Sequence, residues 1–193
     1  MLRALGRPAV LVGFWVFTLP ALFSGVIEVL VPLRLDDLGV AGATIGLVFL
    51  LSAAVEAVVS PIAGRFSDRA GRMAPIRIGL AAAGVMAILL PIPRTAVLVG
   101  LAVVLSFVAL ASFWAPGMAM LSDAAEDAGL DLALAFAISN LAWALGHVFG
   151  AGAGGALADA TTDSVPYAAL AVLCAATLAG LTAGRRRREV LST

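Results

Sequence analysis

The 193-residue chain has no lysine, one cysteine (Cys174), one histidine (His147) and only 12% charged residues. A single thiol excludes an intrachain disulfide and any cysteine-built metal cluster, and a lone histidine is a poor metal site, so no metal or other cofactor is expected. Twelve arginines balance twelve carboxylates, and the neutral sum gives no reason to expect a nucleic-acid partner. The His-Glu-x-x-His helix of zinc hydrolases, the serine-nucleophile turn and the phosphate loop Gly-x(4)-Gly-Lys-Ser/Thr are all missing. Their absence argues against an enzyme and against direct ATP coupling.

What remains is apolar. Alanine, valine, leucine, isoleucine, methionine, cysteine and aromatics make up 62% of the chain before its 20 glycines are counted, and mean hydropathy is +1.09. A soluble domain of this size has no interior for that load, so the excess must face lipid. At about 20 residues per crossing, charges and prolines divide the chain into six spans. They lie at about 9–33, 44–63, 76–92, 96–121, 132–157 and 165–183, an all-α six-transmembrane-helix bundle forming a single domain over 1–193. The first span is too long for a cleaved signal peptide and is expected to stay in the protein.

Orientation follows from arginine placement. With the N-terminus in the cytoplasm, Arg3, Arg7, Arg65, Arg69, Arg72, Arg77 and the run 185–188 are inside, and only Arg34 and Arg94 are outside. Both termini are therefore expected to be cytoplasmic. The acidic turn from Asp123 to Asp131 carries no arginine, but carboxylates weigh little in this rule.

The richest turn runs from Gly64 to Pro75 and contains Gly64-Arg-Phe-Ser-Asp68-Arg69-Ala-Gly71-Arg72. Glycine allows a tight reversal and the close approach of two helix ends. Asp68 and Arg72 stand four apart and share a face if the segment is helical. By charge alone the turn is equally an ordinary basic anchor. Farther on, Gly146, Gly150, Gly152, Gly154 and Gly155 put small residues at four-residue spacing, a device for bringing helix backbones together in lipid.

Ionisable residues also fall inside spans. Glu28 ends a stripe with Phe14, Phe17, Ala21 and Ser24 on one face of the first helix, about 7 Å from its outer end by helix rise. It reads as a cavity wall, or as a side chain that snorkels outward or pairs with Arg34. Thr44, Ser52, Glu56 and Ser60 form a second stripe, and Glu56 suits helix packing as well as proton carriage. In the fourth helix Ser106, Phe113, Trp114 and Pro116 are candidates for cavity or gate, with ordinary packing the simpler reading of each. In the fifth, Asn140, Trp143 and His147 project together, His147 reading first as a hydrogen-bonded packing residue.

The signature G-x-x-S-D-R-x-G-R after the second of six helices resembles the loop motif of the major facilitator superfamily, which recurs in weaker form after the eighth helix of those transporters. Gly64, Asp68, Arg69, Gly71 and Arg72 fall on its positions, while Phe66, Met73 and Ala74 depart from it in the manner of the weaker copy. The resemblance implies a latch on the cytoplasmic side in which Asp68 and Arg72 pair with an acidic residue ending the fourth helix, here Asp123. The glycine register of the fifth helix is similar to the motif of drug/proton antiporters, though Ala137 and Ala151 replace two of its residues. By this resemblance the chain is the C-terminal half, helices seven to twelve, of a bacterial inner-membrane transporter. Its first and fourth helices would line a substrate path and its partner would be a second six-helix half, from the same or another chain. The implied function is proton-coupled transport of a small molecule, with export the family-level expectation. The alternative is a scaffold, a regulatory subunit or a fragment that needs a partner half.

Overall fold

The structure, a computed structural model, describes the backbone of residues 6–191 and the side chains among them except Leu132 and 184–191. Arg3 and the side chains of the arginine run 185–188, expected on the cytoplasmic side, lie outside the described residues. Among the described residues six helices follow one another: α1 (Pro8–Asp37), α2 (Gly42–Ala70), α3 (Met73–Leu89), α4 (Ala96–Asp127), α5 (Leu132–Ala160) and α6 (Ser164–Leu191). Five are long and apolar enough to cross a membrane, and α3, with 17 residues, is a shorter apolar helix. At 1.5 Å rise, α3 is about 26 Å long, just short of a ~30 Å hydrocarbon core.

The helix ends follow local chemistry. Pro8 occupies the first turn of α1, where its missing N–H costs nothing. At the other end Gly39 takes a positive φ of 75°, and the Gly39 and Val40 amides bond back to Asp36 and Leu35. Gly129 repeats this cap after α4, its amide and that of Leu130 bonding to Glu126 and Ala125. Asp131 opens α5 by accepting the Leu134 amide at 2.7 Å.

Several helices outrun the spans expected from hydropathy. Residues 64–70, read as part of a turn, are the last two turns of α2, and the reversal is confined to Gly71 and Arg72, with Gly71 at φ 80°. Likewise α4 continues to Asp127, so half of the expected acidic turn is helical. Charged residues end an apolar run without ending a helix, because Arg, Asp and Glu are compatible with helical backbone and simply carry it into the headgroup layer. The third helix begins at Met73 and ends at Leu89, three residues before the expected end, where Pro91 and Pro93 cannot donate to a helical ladder.

In packing, α1 is the hub. It lies against α5 and α4 and touches α6, while α4 also packs on α2 and α3, and α6 rests on α3. Most of α1's apolar span is buried, whereas almost none of α2's is. The core around α1 is filled by Val16, Leu19, Phe23 and Ile27 with Leu80, Leu110 and Phe113, all under 2% exposed. The outer faces carry Leu47, Leu50, Leu51, Val58 and Ile62 on α2 and Leu141, Val148 and Phe149 on α5. These are the surfaces that lipid must cover.

The α1–α5 contact is the tightest seam. A Cβ on Gly146 would run into the Thr18 carbonyl, one on Gly150 into the Leu22 backbone, and one on Gly154 to within 2.8 Å of Val26. Gly25 answers from α1, against the backbone of His147 and Ala151. Gly155 faces Val29 more loosely at 3.5 Å, and Gly152 faces open space. The expected register of small residues thus meets α1, with Gly152 as the member that takes no part.

Candidate functional site

Between α1, α2, α4 and α5 lies a cleft of about 550 Å³ lined by Ser24, Glu28 and Pro32, by Phe49, Ala53 and Glu56, by Phe107 and Trp114, and by Trp143. Its position follows from the hub geometry. It lies where α2, packed mainly on α4, stands off from α1, which packs against α5 along the glycine seam. The gap is filled from the helix midsections. Glu56 is 14 residues from either end of α2, so about 21 Å from each by helix rise. Glu28 lies nine residues before Asp37, about 14 Å from that end. The expected ~7 Å still measures its distance from the end of the apolar run at Leu33, since α1 runs on to Asp37 through Arg34, Asp36 and Asp37.

One wall is aromatic. Trp114 and Trp143 stack at 4.1 Å between centroids with planes 21° apart. Phe17, buried behind them, meets Trp114 edge-on at 6.0 Å and Trp143 at 6.4 Å. Offset stacking and edge contacts are the arrangements favoured by ring quadrupoles, so this triad holds both indoles in place. His147 continues the stack, its ring 5.9 Å from Trp143 at 27°. Phe49 and Phe107 form a second edge-on pair at 6.4 Å on the α2–α4 side.

The charge lies beside this wall. Glu28 Oε2 lies 3.4 Å from His147 Nε2, at 44% and 33% side-chain exposure. The imidazole therefore has a carboxylate beside it that its own sequence neighbourhood does not contain. The alternative pairing of Glu28 with Arg34 is not made: the Arg34 guanidinium donates to the carbonyls of Pro91 and Pro93 at 3.2 and 2.8 Å, tying α1 to the α3–α4 turn. Pro32, one turn beyond Glu28, has no N–H, so the Glu28 carbonyl loses its usual helical donor.

The cleft thus gathers Ser24, Glu28, Glu56 and Trp114, with Phe17 and His147 in direct support. It does not gather Asn140, which is exposed and donates to the Phe136 carbonyl of its own helix at 3.0 Å. Nor does it gather the whole α2 stripe: Ser52 is buried and bonded back to Val48, and Phe49 and Ala53 line the cleft with Glu56 instead. Phe49, Ala53, Pro32 and Phe107 carry no polar signal and were not singled out by sequence.

At the far end of α2, Arg72 and Asp123 form an ion pair at 2.7 Å. It joins the α2–α3 turn to the end of α4. The two side chains are 38% and 52% exposed, so an isolated pair of this kind contributes about 0.2–1 kcal/mol. Asp68 is exposed and makes no ion pair among the described residues, and it does not pair with Arg72, which lies beyond the helix. Gly64 sits inside α2 with open space around its Cα, so it brings no second helix close; the reversal belongs to Gly71. Arg69 is exposed on the last turn of α2.

No curated protein matches the chain. The family model described as Major Facilitator Superfamily matches residues 12–192. Nearly the whole chain is therefore covered by the model of a family of membrane transporters that work as multi-pass helical bundles in the bilayer on small-molecule substrates. The helices, the central cleft and the matched length together place this chain in the major facilitator superfamily.

Proposed function

We propose that the chain is a six-helix half of a secondary active transporter, equivalent to the C-terminal half, that moves a small molecule through the α1–α4 cleft in exchange for protons. The observation that carries this reading is the cleft itself: two carboxylates and a stacked indole pair within apolar helices, where ionisable side chains are expensive unless they face a cavity or partner. The departures at Phe66, Met73 and Ala74 favour the second half over the first. Export is the family-level expectation for its direction. Alternating access would rock this bundle against a second six-helix half, supplied by another copy or another chain. The Arg72–Asp123 pair, expected on the cytoplasmic side, would be the contact that holds one of the two states.

The test is a reconstituted flux assay. The chain goes into proteoliposomes with an imposed pH gradient, against a panel of cationic, neutral and anionic fluorescent solutes. At least one solute is expected to move in a gradient-dependent way, and Glu28→Gln is expected to abolish or uncouple that flux. Flux that is unchanged by Glu28→Gln across a pH series removes the carboxylate from the mechanism. No gradient-dependent movement of any solute overturns proton-coupled transport by this chain.

A further inference from the structure

We propose that a second, apolar groove on the outside of the α2–α4 seam holds one acyl chain of a phospholipid whose headgroup carries a primary amine beside its phosphate; this stands apart from the transport reading and needs nothing of the cleft. The groove encloses about 400 Å³ between Leu35 and Val40 at the end of α1, Thr44 and Leu51 of α2, and Ala96 and Val104 of α4. It shares no lining residue with the cleft. Its floor is the seam itself, where a Cβ on Gly100 would meet Val48 at 3.4 Å, while Phe49 and Phe107 pair edge-on on the cleft side.

Polarity changes along the groove as it does along a lipid. Thr44, in the first turn of α2, brings the only polar side chain of the lining. Ala96 opens α4 and Val104 lies eight residues farther in, about 12 Å by helix rise. The mouth is therefore at the helix ends, where headgroups lie, and the inner end is level with hydrocarbon. Leu51, Val97 and Leu101 on its walls are 56%, 81% and 52% exposed, so the groove opens on a surface that lipid must cover. A space lined this way stays dry, and left empty its walls forgo their dispersion contacts. A hydrocarbon chain restores those contacts and asks for no hydrogen bond.

The rim selects the headgroup. Arg94 stands two residues before Ala96, and Asp36 and Asp37 follow Leu35. The bonds from Arg34 to the Pro91 and Pro93 carbonyls hold these two segments together at the same end of the bundle. Arg94, Asp36 and Asp37 are exposed and make no ion pair among the described residues. A guanidinium presents a fork of donors to phosphate oxygens, and a primary ammonium has three donors for the two carboxylates. A headgroup with phosphate alone would meet Arg94 but bring negative charge up to the aspartates. A quaternary amine has no N–H to donate.

The experiment places the full chain in phosphatidylcholine nanodiscs with a trace of phosphatidylethanolamine or phosphatidylglycerol bearing the same diazirine-labelled acyl chain. After irradiation, labelled residues are located by peptide mass spectrometry. The ethanolamine probe is expected to label Leu51, Leu101 and Val104 about threefold or more above Val148 and Phe149, which are exposed on the outer face of α5. The glycerol probe is expected to show no such preference. Arg94→Gln, and Asp36→Asn with Asp37→Asn, are each expected to lower the preference by about threefold, the scale of a partly exposed charged contact. Val97→Trp, at an exposed position on the wall, is expected to displace the label by occupying the groove. All of these positions are exposed, so the variants leave the core intact. Equal labelling of the groove and of α5 would reduce the groove to ordinary lipid-facing surface and overturn the proposal. Preference shown equally by both probes and unmoved by the rim variants would overturn the headgroup assignment. Loss of groove labelling in discs that hold two copies of the chain, with labelling kept in discs that hold one, would make a second copy the occupant and overturn the lipid. None of these readouts depends on flux, so the groove and the transport reading stand or fall separately.

Discussion

At the residue level, the Arg72–Asp123 pair illustrates how a small energy can matter. Its exposure limits it to roughly 1 kcal/mol, which shifts a two-state equilibrium by no more than about fivefold. Breaking it with Arg72→Ala or Asp123→Asn should therefore leave the protein folded while changing flux several-fold in the proteoliposome assay. The doubly reversed variant Arg72→Asp with Asp123→Arg should recover part of the loss. Recovery by the double variant identifies the pair; equal defects in all three would assign the effect to the turn instead. Asp68 is the harder case, since it makes no ion pair among the described residues. Asp68→Asn is expected to cut flux with normal membrane insertion if its partner forms in another state, and normal flux would exclude it from the latch. The spacing of the signature marked the right segment because turn chemistry is local. Spacing alone left Arg72 free to pair with Asp68, four residues before it; the family resemblance named Asp123, and that is the partner Arg72 takes, while Asp68 does not join the pair. The same limit hid the Glu28–His147 contact, which joins residues from opposite ends of the sequence.

At the level of helices, hydropathy located all six but undershot the ends of α1, α2, α4, α5 and α6, because it measures where lipid stops and not where backbone hydrogen bonding stops. The glycine register of α5 was legible as a close-packing face; which helix it would meet was not, since periodicity describes one surface at a time. Here the structure allows a sharp comparison. Gly150→Val forces methyl groups into the Leu22 backbone and should cost about 1–3 kcal/mol, read as loss of thermal stability in detergent. Gly152→Ala meets open space and should leave the melting temperature unchanged or slightly raised. Equal effects of the two would remove the seam as a determinant of stability. Asn140 shows the converse error: spacing on α5 grouped it with Trp143 and His147, but it lies one turn away on exposed surface and satisfies its own helix.

For the whole molecule, the cleft is walled on four sides by α1, α2, α4 and α5, and the apolar outer face of α2 is largely uncovered within the chain. If the bundle is half of a transporter that pairs with itself, native mass spectrometry of the chain in nanodiscs should give a dimer mass, and a stable monomer would point to a different partner half. Orientation is separately testable. With Cys174 replaced by serine, a cysteine introduced at Arg65 should react with a membrane-impermeant maleimide only from the cytoplasmic side, and one at Asp163 only from outside. The reverse pattern would invert the topology read from the arginines.

The glycine seam has a mechanical consequence. Backbone against backbone, α1 and α5 leave no side-chain layer to slide on, so they behave as one strut carrying Glu28, Trp143 and His147. Glu56 belongs to α2, which touches that strut only sparsely. The cleft therefore has two jaws, the α1–α5 strut and α2 held on α4, with its two carboxylates divided between them. On the proposed reading of the cleft as a transport site, a guest touching both jaws would be released by a tilt of α2 with no contact inside the strut having to break.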